Sequence, residues 1–412
     1  MESNLYRRTL TACNLAAFIQ SATMNLAPFL FLTLNRLYGI SFTELGFLVL
    51  VNFTAQFVAD LIFAAPVNRF GFRPFCVGSQ LGIFLGLSLF AAAPLLAPGR
   101  EFPLLVLATV LYSAATGLLE VLLSPITKSI PAESSHANFM IMHTAFAAGI
   151  LAVALVSTGI LTLPFRGAWQ LAVLFWALPP AFNAFRFMKA PMPEVMGHPE
   201  RMRLRDLLGS PVFGVSFLAI FFGAATELLI VQWGSAYLEE GLGLSKATGD
   251  LAGLCVFALM LAAGRFLFAR MGKRADLHNL MIRGSLMCVI LYALVALAPV
   301  TWVVLMAFGL IGFFSCLLWT GTLFVAADAL PRTGAVIFAL LAGGGDLGTA
   351  ALGQLTGWLA DRFTQAAPAG IPASGYGMRM ALTVMILVPV LSLLFQLLLK
   401  KAVHSHPDAA AQ

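Results

Sequence analysis

Charged side chains are scarce: Asp, Glu, Lys and Arg make up only 10% of the 412 residues, against about a quarter in ordinary soluble domains. So few charges cannot clothe a water-facing surface. Cysteine is also sparse, with Cys13, Cys76, Cys255, Cys288 and Cys316 scattered through apolar stretches and no C-x-x-C pair among them. That pattern argues for packing and against a disulfide frame or a metal site. H-E-x-x-H, G-x-x-x-x-G-K-[ST] and G-x-S-x-G are all missing, and no polar segment is long enough to form a cofactor-holding domain. No enzyme activity, cofactor or metal is expected. Strand-period alternation between turn signals is lacking too, which excludes an outer-membrane barrel.

What the chain has instead is hydrocarbon. Apolar residues account for 60% of it and fall in long runs, and roughly 20 such residues in a helix cross a lipid core about 30 Å thick. Twelve runs are long enough, near 9–35, 44–67, 74–97, 103–126, 138–163, 168–188, 211–237, 247–270, 277–298, 302–326, 335–360 and 377–400. The first lacks a small-residue cleavage site and reads as a retained span. The expected fold is an all-α membrane protein of twelve transmembrane helices in two pseudo-symmetric six-helix bundles. Residues 1–188 form the N-terminal bundle and 211–412 the C-terminal one. Between them, 189–210 carries prolines and an arginine cluster and reads as a cytoplasmic linker.

Orientation follows from the cations. With the N-terminus inside, only Arg36, Arg100, Arg166, Lys246, Arg362 and Arg379 of the 24 Lys and Arg fall on outer loops, which leaves 18 inside. This bias places both termini in the cytoplasm, in the inner membrane. It also accounts for the net charge of +6 without a nucleic-acid partner.

Two short stretches repeat. "RFGFR" at 69–73 and "RMGKR" at 270–274 both lie in the cytoplasmic loop after the second span of their half, as an internal duplication predicts. Gly71 and Gly272 let a short connection turn, and Arg69, Arg73 and Arg270 are expected to meet the carbonyl end of the preceding helix. A second pair, "TGLLEV" at 116–121 and "TGTLFV" at 320–325, falls in the fourth span of each half.

The stretch "AAPVNRFGFR" at 64–73 resembles the G-x-x-x-D-R-x-G-R-R signature of the major facilitator superfamily through Arg69, Gly71 and Arg73, with Asn68 in place of the acid and Phe72 in place of a base. "GLLEVLLSPI" at 117–126 is similar to the Gly-x-x-Glu-x-x-x-Asn-Pro segment of the fucose permease-like sugar:proton symporters through Gly117, Glu120 and Pro125, Ser124 standing for Asn. "ATELLIVQW" at 225–233 and "AGGGDLGTAALGQLTGWLAD" at 342–361 look like further segments of that group. The resemblance implies a transporter of small solutes. Two departures qualify it: span 1 has no acid and offers Asn14, Gln20, Ser21 and Asn25, and span 5 lacks the tandem Gly-Pro pattern of proton-coupled drug exporters.

Ionisable groups at membrane depth each cost about 2.5–3.5 kcal/mol on insertion scales, so each needs a partner, water or a task. Glu120 and His143 lie at matching depth on neighbouring spans and are the expected proton-coupling pair, since a carboxyl short of water takes up a proton more readily; a static interhelical hydrogen bond is the bland reading. Glu227, with Gln232 and Trp233 five and six positions on, suits a sugar-like ring, and Asn25 and Gln20 complete the expected substrate set. Trp233 read blandly is an anchor at the outer interface. Asp60, one turn after Gln56, and Asp346, after three glycines on a helix expected to bend, are assigned to gating, together with Arg69, Gly71, Arg73, Arg270 and Gly272 of the two repeated loops. Arg265, five residues from an inner end, is expected to snorkel.

These residues predict a monomeric secondary transporter that moves a small polar, sugar-like solute by alternating access, with proton-coupled uptake. The alternative on the same scaffold is a proton-coupled exporter of drugs or amphipathic metabolites. The partners expected are the solute, protons and the lipid bilayer.

Overall fold

The computed structural model describes residues 6–130, 135–165, 167–193, 207–271, 276–330 and 335–405. Gly272 lies outside these. Among the described residues there is no strand, and twelve helices are long and apolar enough to cross a membrane. The chain divides into two compact units, Met1–Gly197 and His198–Gln412.

In the first unit, α1 (Arg7–Met24) and α2 (Leu26–Tyr38) make up span 1. Spans 2 to 6 are α3 (Phe42–Phe70), α4 (Phe72–Leu96), α5 (Glu101–Ser129), α6 (Ser135–Leu161) and α7 (Ala168–Lys189). In the second unit, α8 (Pro211–Ala236) runs into a π-helical turn at Tyr237–Gly241. Span 8 starts as α9 (Lys246–Gly249), passes through a π-helical stretch at Asp250–Cys255 and continues as α10 (Val256–Met271). Then come α11 (Leu277–Leu297), the pair α12 (Thr301–Ser315) and α13 (Thr320–Ala329), α14 (Ala335–Gln365), and the pair α15 (Ala373–Val384) and α16 (Leu387–His404).

Each unit repeats one packing plan. The fourth span lies on the second and third, the first on the fifth, and the third on the sixth; the same neighbours recur among spans 7 to 12. The duplication therefore extends from loop chemistry to helix pairing.

Span 1 departs from the single helix expected. Pro28 has no N–H, so the carbonyl four residues back, that of Met24, loses its helical donor, and the helix breaks at Asn25. Asn52 Nδ2 on α3 donates to that carbonyl at 3.4 Å. Asn52 Oδ1 in turn accepts from Ser113 Oγ on α5 at 2.6 Å and from Gln56 Nε2 at 3.3 Å. All three side chains are buried, so a released backbone group is satisfied by a polar ladder that ties three spans together. Alongside, Gly117 brings α5 onto α3: a Cβ there would meet the Gln56 backbone oxygen at 2.6 Å.

Gly71 turns α3 into α4 with φ +79°, a conformation open to glycine. Arg69 lies in the last turn of α3 and Arg270 in that of α10, at the carbonyl ends where cations are expected, whereas Arg73 turns elsewhere. Arg73 Nη2 donates instead to Ala190 O, beyond the end of α7, at 3.1 Å, and Arg69 and Arg270 lie over the rings of Phe70 and Phe266. The carbonyl of Val67, where a cap would sit, is already taken by Gly71 N–H at 3.0 Å. Thr9 Oγ1 donates to Pro191 O and Asn183 Nδ2 to Ala12 O at 3.1 Å, so the C-terminal end of span 6 holds span 1.

In the second unit α14 is one unbroken helix through the three glycines before Asp346. Gly344, Gly345 and, beyond Asp346, Gly348 receive α8, facing Phe217, Ala224 and Phe221. Their use here is close approach. Gly321 of "TGTLFV" abuts Met281 on α11, whereas Gly117 of "TGLLEV" abuts span 2, so the two similar stretches make different contacts.

Gly117→Val, which places a branched side chain against the α3 backbone, is expected to destabilise the protein by about 1–3 kcal/mol, read as a lowered thermal midpoint in detergent. Asn52→Ala is expected to cost more than Ser113→Ala, about 1–3 against ~1 kcal/mol, because it strips partners from Met24, Ser113 and Gln56 together. Equal midpoints for these two variants would contradict the ladder.

Candidate transport site

On α3, Asn52, Gln56 and Asp60 recur every four residues, and on α5 Ser113, Gly117 and Glu120 recur at intervals of four and three, so each set shares one helix face. The two faces meet. Asp60 is buried and Glu120 half-buried, and a carboxylate oxygen of each lies within 4.8 Å of the other. Asp60, expected at a gate, thus stands beside the expected proton carrier. Asn52 and Ser113 escaped the sequence reading although their spacing to Gln56 and Glu120 was visible there. The side chain of His143 lies outside the described residues.

The polar side chains of span 1 are buried around the helix break. Asn25 Nδ2 donates to Ser21 O at 2.9 Å, while Asn25 Oδ1 and Ser21 Oγ have no hydrogen-bond partner among the described residues. Gln20 is buried as well, 5% exposed. The break at Asn25 gives this segment polar groups that a continuous helix would keep occupied.

In the second unit Glu227 sits on α8, 4% exposed. Its partner is Arg265 on α10, whose Nη2 reaches Glu227 Oε1 at 3.0 Å. Arg265 Nε also points at the carbonyl of Cys316, at 3.5 Å. That carbonyl ends α12, just before the break at Cys316–Trp319 that separates it from α13. Snorkelling, the expectation for Arg265, gives way because a buried carboxylate offers the guanidinium more than the distant interface.

Gln232 and Trp233 do not join Glu227. Positions five and six residues on lie roughly 140° and 120° away around a helix of 3.6 residues per turn, in opposite senses. Trp233 is fully buried and its indole N–H donates to Gly353 O on α14 at 3.1 Å, so the interface-anchor reading gives way to a fastening between spans 7 and 11. Gln232 is 1% exposed, and its Nε2 has no hydrogen-bond partner among the described residues. Asp346 is buried on α14. Nearby in the same unit, Tyr292 Oη donates to Thr226 O at 2.6 Å and Gln396 Nε2 to Thr322 Oγ1 at 2.9 Å.

Comparisons with known proteins agree with this architecture. A bacterial homologue of the human lysosomal transporter Spinster, solved in an inward-facing and occupied conformation, aligns over 96% of this chain and 97% of its own, with a TM-score of 0.79 and 16% identity. A D-xylose–proton symporter aligns over 94% and 96%, with a TM-score of 0.78 and 15% identity. The nucleoside transporter NupG aligns over 95% and 99%, with a TM-score of 0.75 and 10% identity. No curated protein matches the chain. At these identities the likeness establishes the fold. Residues 13–351 match the Major Facilitator Superfamily at the level of sequence: the chain is a multi-pass membrane transporter and belongs to that family.

Proposed function

We propose that this transporter carries a small, polar, sugar-like solute inward across the inner membrane, as a monomer, by alternating access driven by protons. The observation that carries the reading is the Asp60–Glu120 pair, two carboxyls within 4.8 Å of each other on helices that cross the bilayer. Two carboxylates so close repel when both are charged, and a proton bound by either relieves the repulsion. Proton binding then changes the free energy of whichever conformation holds the pair, and a ligand shifts an equilibrium only by such a difference. Glu120 is the group that takes up the proton, Asp60 the neighbour that makes its charge costly, and Asn25, Gln20, Glu227 and Gln232 the polar contacts of the solute. Two of the similar structures are named for transport of D-xylose with protons and of nucleosides, which favours a solute of this kind.

Thermal-shift screening of the purified protein against sugars, nucleosides and organic acids identifies the solute, since a binder raises the midpoint by mass action. In liposomes loaded with that solute, Glu120→Gln is expected to abolish proton-driven accumulation and retain exchange of labelled for unlabelled solute. Equal loss of both activities contradicts the coupling role. Reporter fusions at the two termini are expected to place both in the cytoplasm; an external terminus overturns the orientation.

A further inference from the structure

The Glu227–Arg265 pair is incompletely satisfied on both sides. A structural arginine–carboxylate pair in a protein interior is usually bidentate, yet here one contact, at 3.0 Å, joins Nη2 to Oε1. Glu227 Oε2 is buried and has no hydrogen-bond partner among the described residues. A guanidinium has five N–H donors, and the described partners of Arg265 are the 3.0 Å contact and a 3.5 Å approach to Cys316 O. The Arg265 side chain is also 33% exposed while that of Glu227 is 5% exposed. The pair therefore holds one buried acceptor, and several donors on the more exposed guanidinium, without a partner among the described residues.

Span 10 breaks at Cys316–Trp319, with no proline to force it, and the break lies against Arg265. Irregular backbone at membrane depth is tolerated where it is buried in protein or lines a water-filled space. Apolar exposure on α10 lies on both sides of Arg265 in sequence, at Leu259 (53%), Phe266 (59%) and Leu267 (51%), whereas the Arg265 head turns toward Glu227 on α8.

We infer that Glu227 and Arg265 form a substrate subsite for a hydroxyl-bearing group of zero net charge, with Arg265 the specificity-determining residue. A hydroxyl is both donor and acceptor: its proton goes to Glu227 Oε2 and its oxygen accepts from a free guanidinium N–H. Because the carboxylate already neutralises the cation, the subsite does not attract an anion, and a carboxylate or phosphate placed there would be repelled by Glu227. The pair acts as a filter that passes a neutral sugar or polyol and rejects the corresponding sugar acid or sugar phosphate. Specificity of this kind comes from the repulsive partner as much as from the attractive one. This assignment of substrate class rests on the transport reading above.

The test removes the filter. In Glu227→Gln the guanidinium loses its counter-charge, so acetate, D-glucuronate or glucose 6-phosphate is expected to raise the thermal midpoint of the purified variant by at least about 2 °C. The wild type and the doubly neutral Glu227→Gln/Arg265→Gln protein are expected to show no such rise. The double variant keeps the size and polarity of the pair and controls for folding. A second arm asks whether position 265 opens to water. Glu227→Gln/Arg265→Cys, with the five native cysteines replaced, is expected to react with a charged, water-soluble methanethiosulfonate reagent. A folded Glu227→Gln protein that none of the three anions stabilises, or an introduced thiol inert to the reagent, overturns the proposal. If both arms succeed while no neutral solute binds the wild type, the sugar-like transport reading fails and the charge-neutral filter stands.

Discussion

A backbone group released inside a bilayer has no water to turn to, and the structure is organised by where such groups are and what meets them. Most residues answer by staying helical. Where a helix breaks, a side chain from another span supplies the missing partner or approaches it: Asn52 for the Met24 carbonyl freed by Pro28, Arg265 for the Cys316 carbonyl at the break in span 10. At the C-terminal end of α11, Arg379 does the same for the carbonyls of Ala296 and Ala298. Buried polar side chains therefore meet released backbone groups at several interruptions and ends of the helices.

Much of this was legible in the chain. Span number, approximate span ends and the repeated pairing of helices follow from apolar run length and from a duplicated pattern, because hydrocarbon thickness sets one length scale for every segment. Glu120, Asp60 and Glu227 were visible as ionisable groups at a depth where such groups are costly. Asn52 and Ser113 were equally visible by spacing, but uncharged polar residues are common in membrane helices and carry no comparable cost, so nothing set them apart until the break at Asn25 showed what they serve.

Pair identity was less accessible. Arg265 has a permissible escape to the interface, and only the packing of α10 against α8 reveals the cheaper partner. Gln232 and Trp233 sit close to Glu227 in sequence and far from it around the helix, and the indole is spent on the Gly353 carbonyl. The three glycines before Asp346 suggested flexibility, yet Gly344 and Gly345 are packed closely by Phe217 and Ala224 of α8. In each case the neighbour on another span, which lies outside any local window, decides between readings that local chemistry leaves equal.

The N-terminal ends of spans 1 and 3 are each fastened by a carbonyl that follows span 6: Thr9 bonds Pro191 O, and Arg73 bonds Ala190 O. Their sequence separations are 182 and 117 residues. During synthesis the acceptors reach the membrane last, so the first five helices must be inserted before either tie can close. Completion of the first unit is thereby timed to the emergence of its own final residues from the ribosome, and an N-terminal half truncated before residue 190 would lack the fastening that marks it as finished.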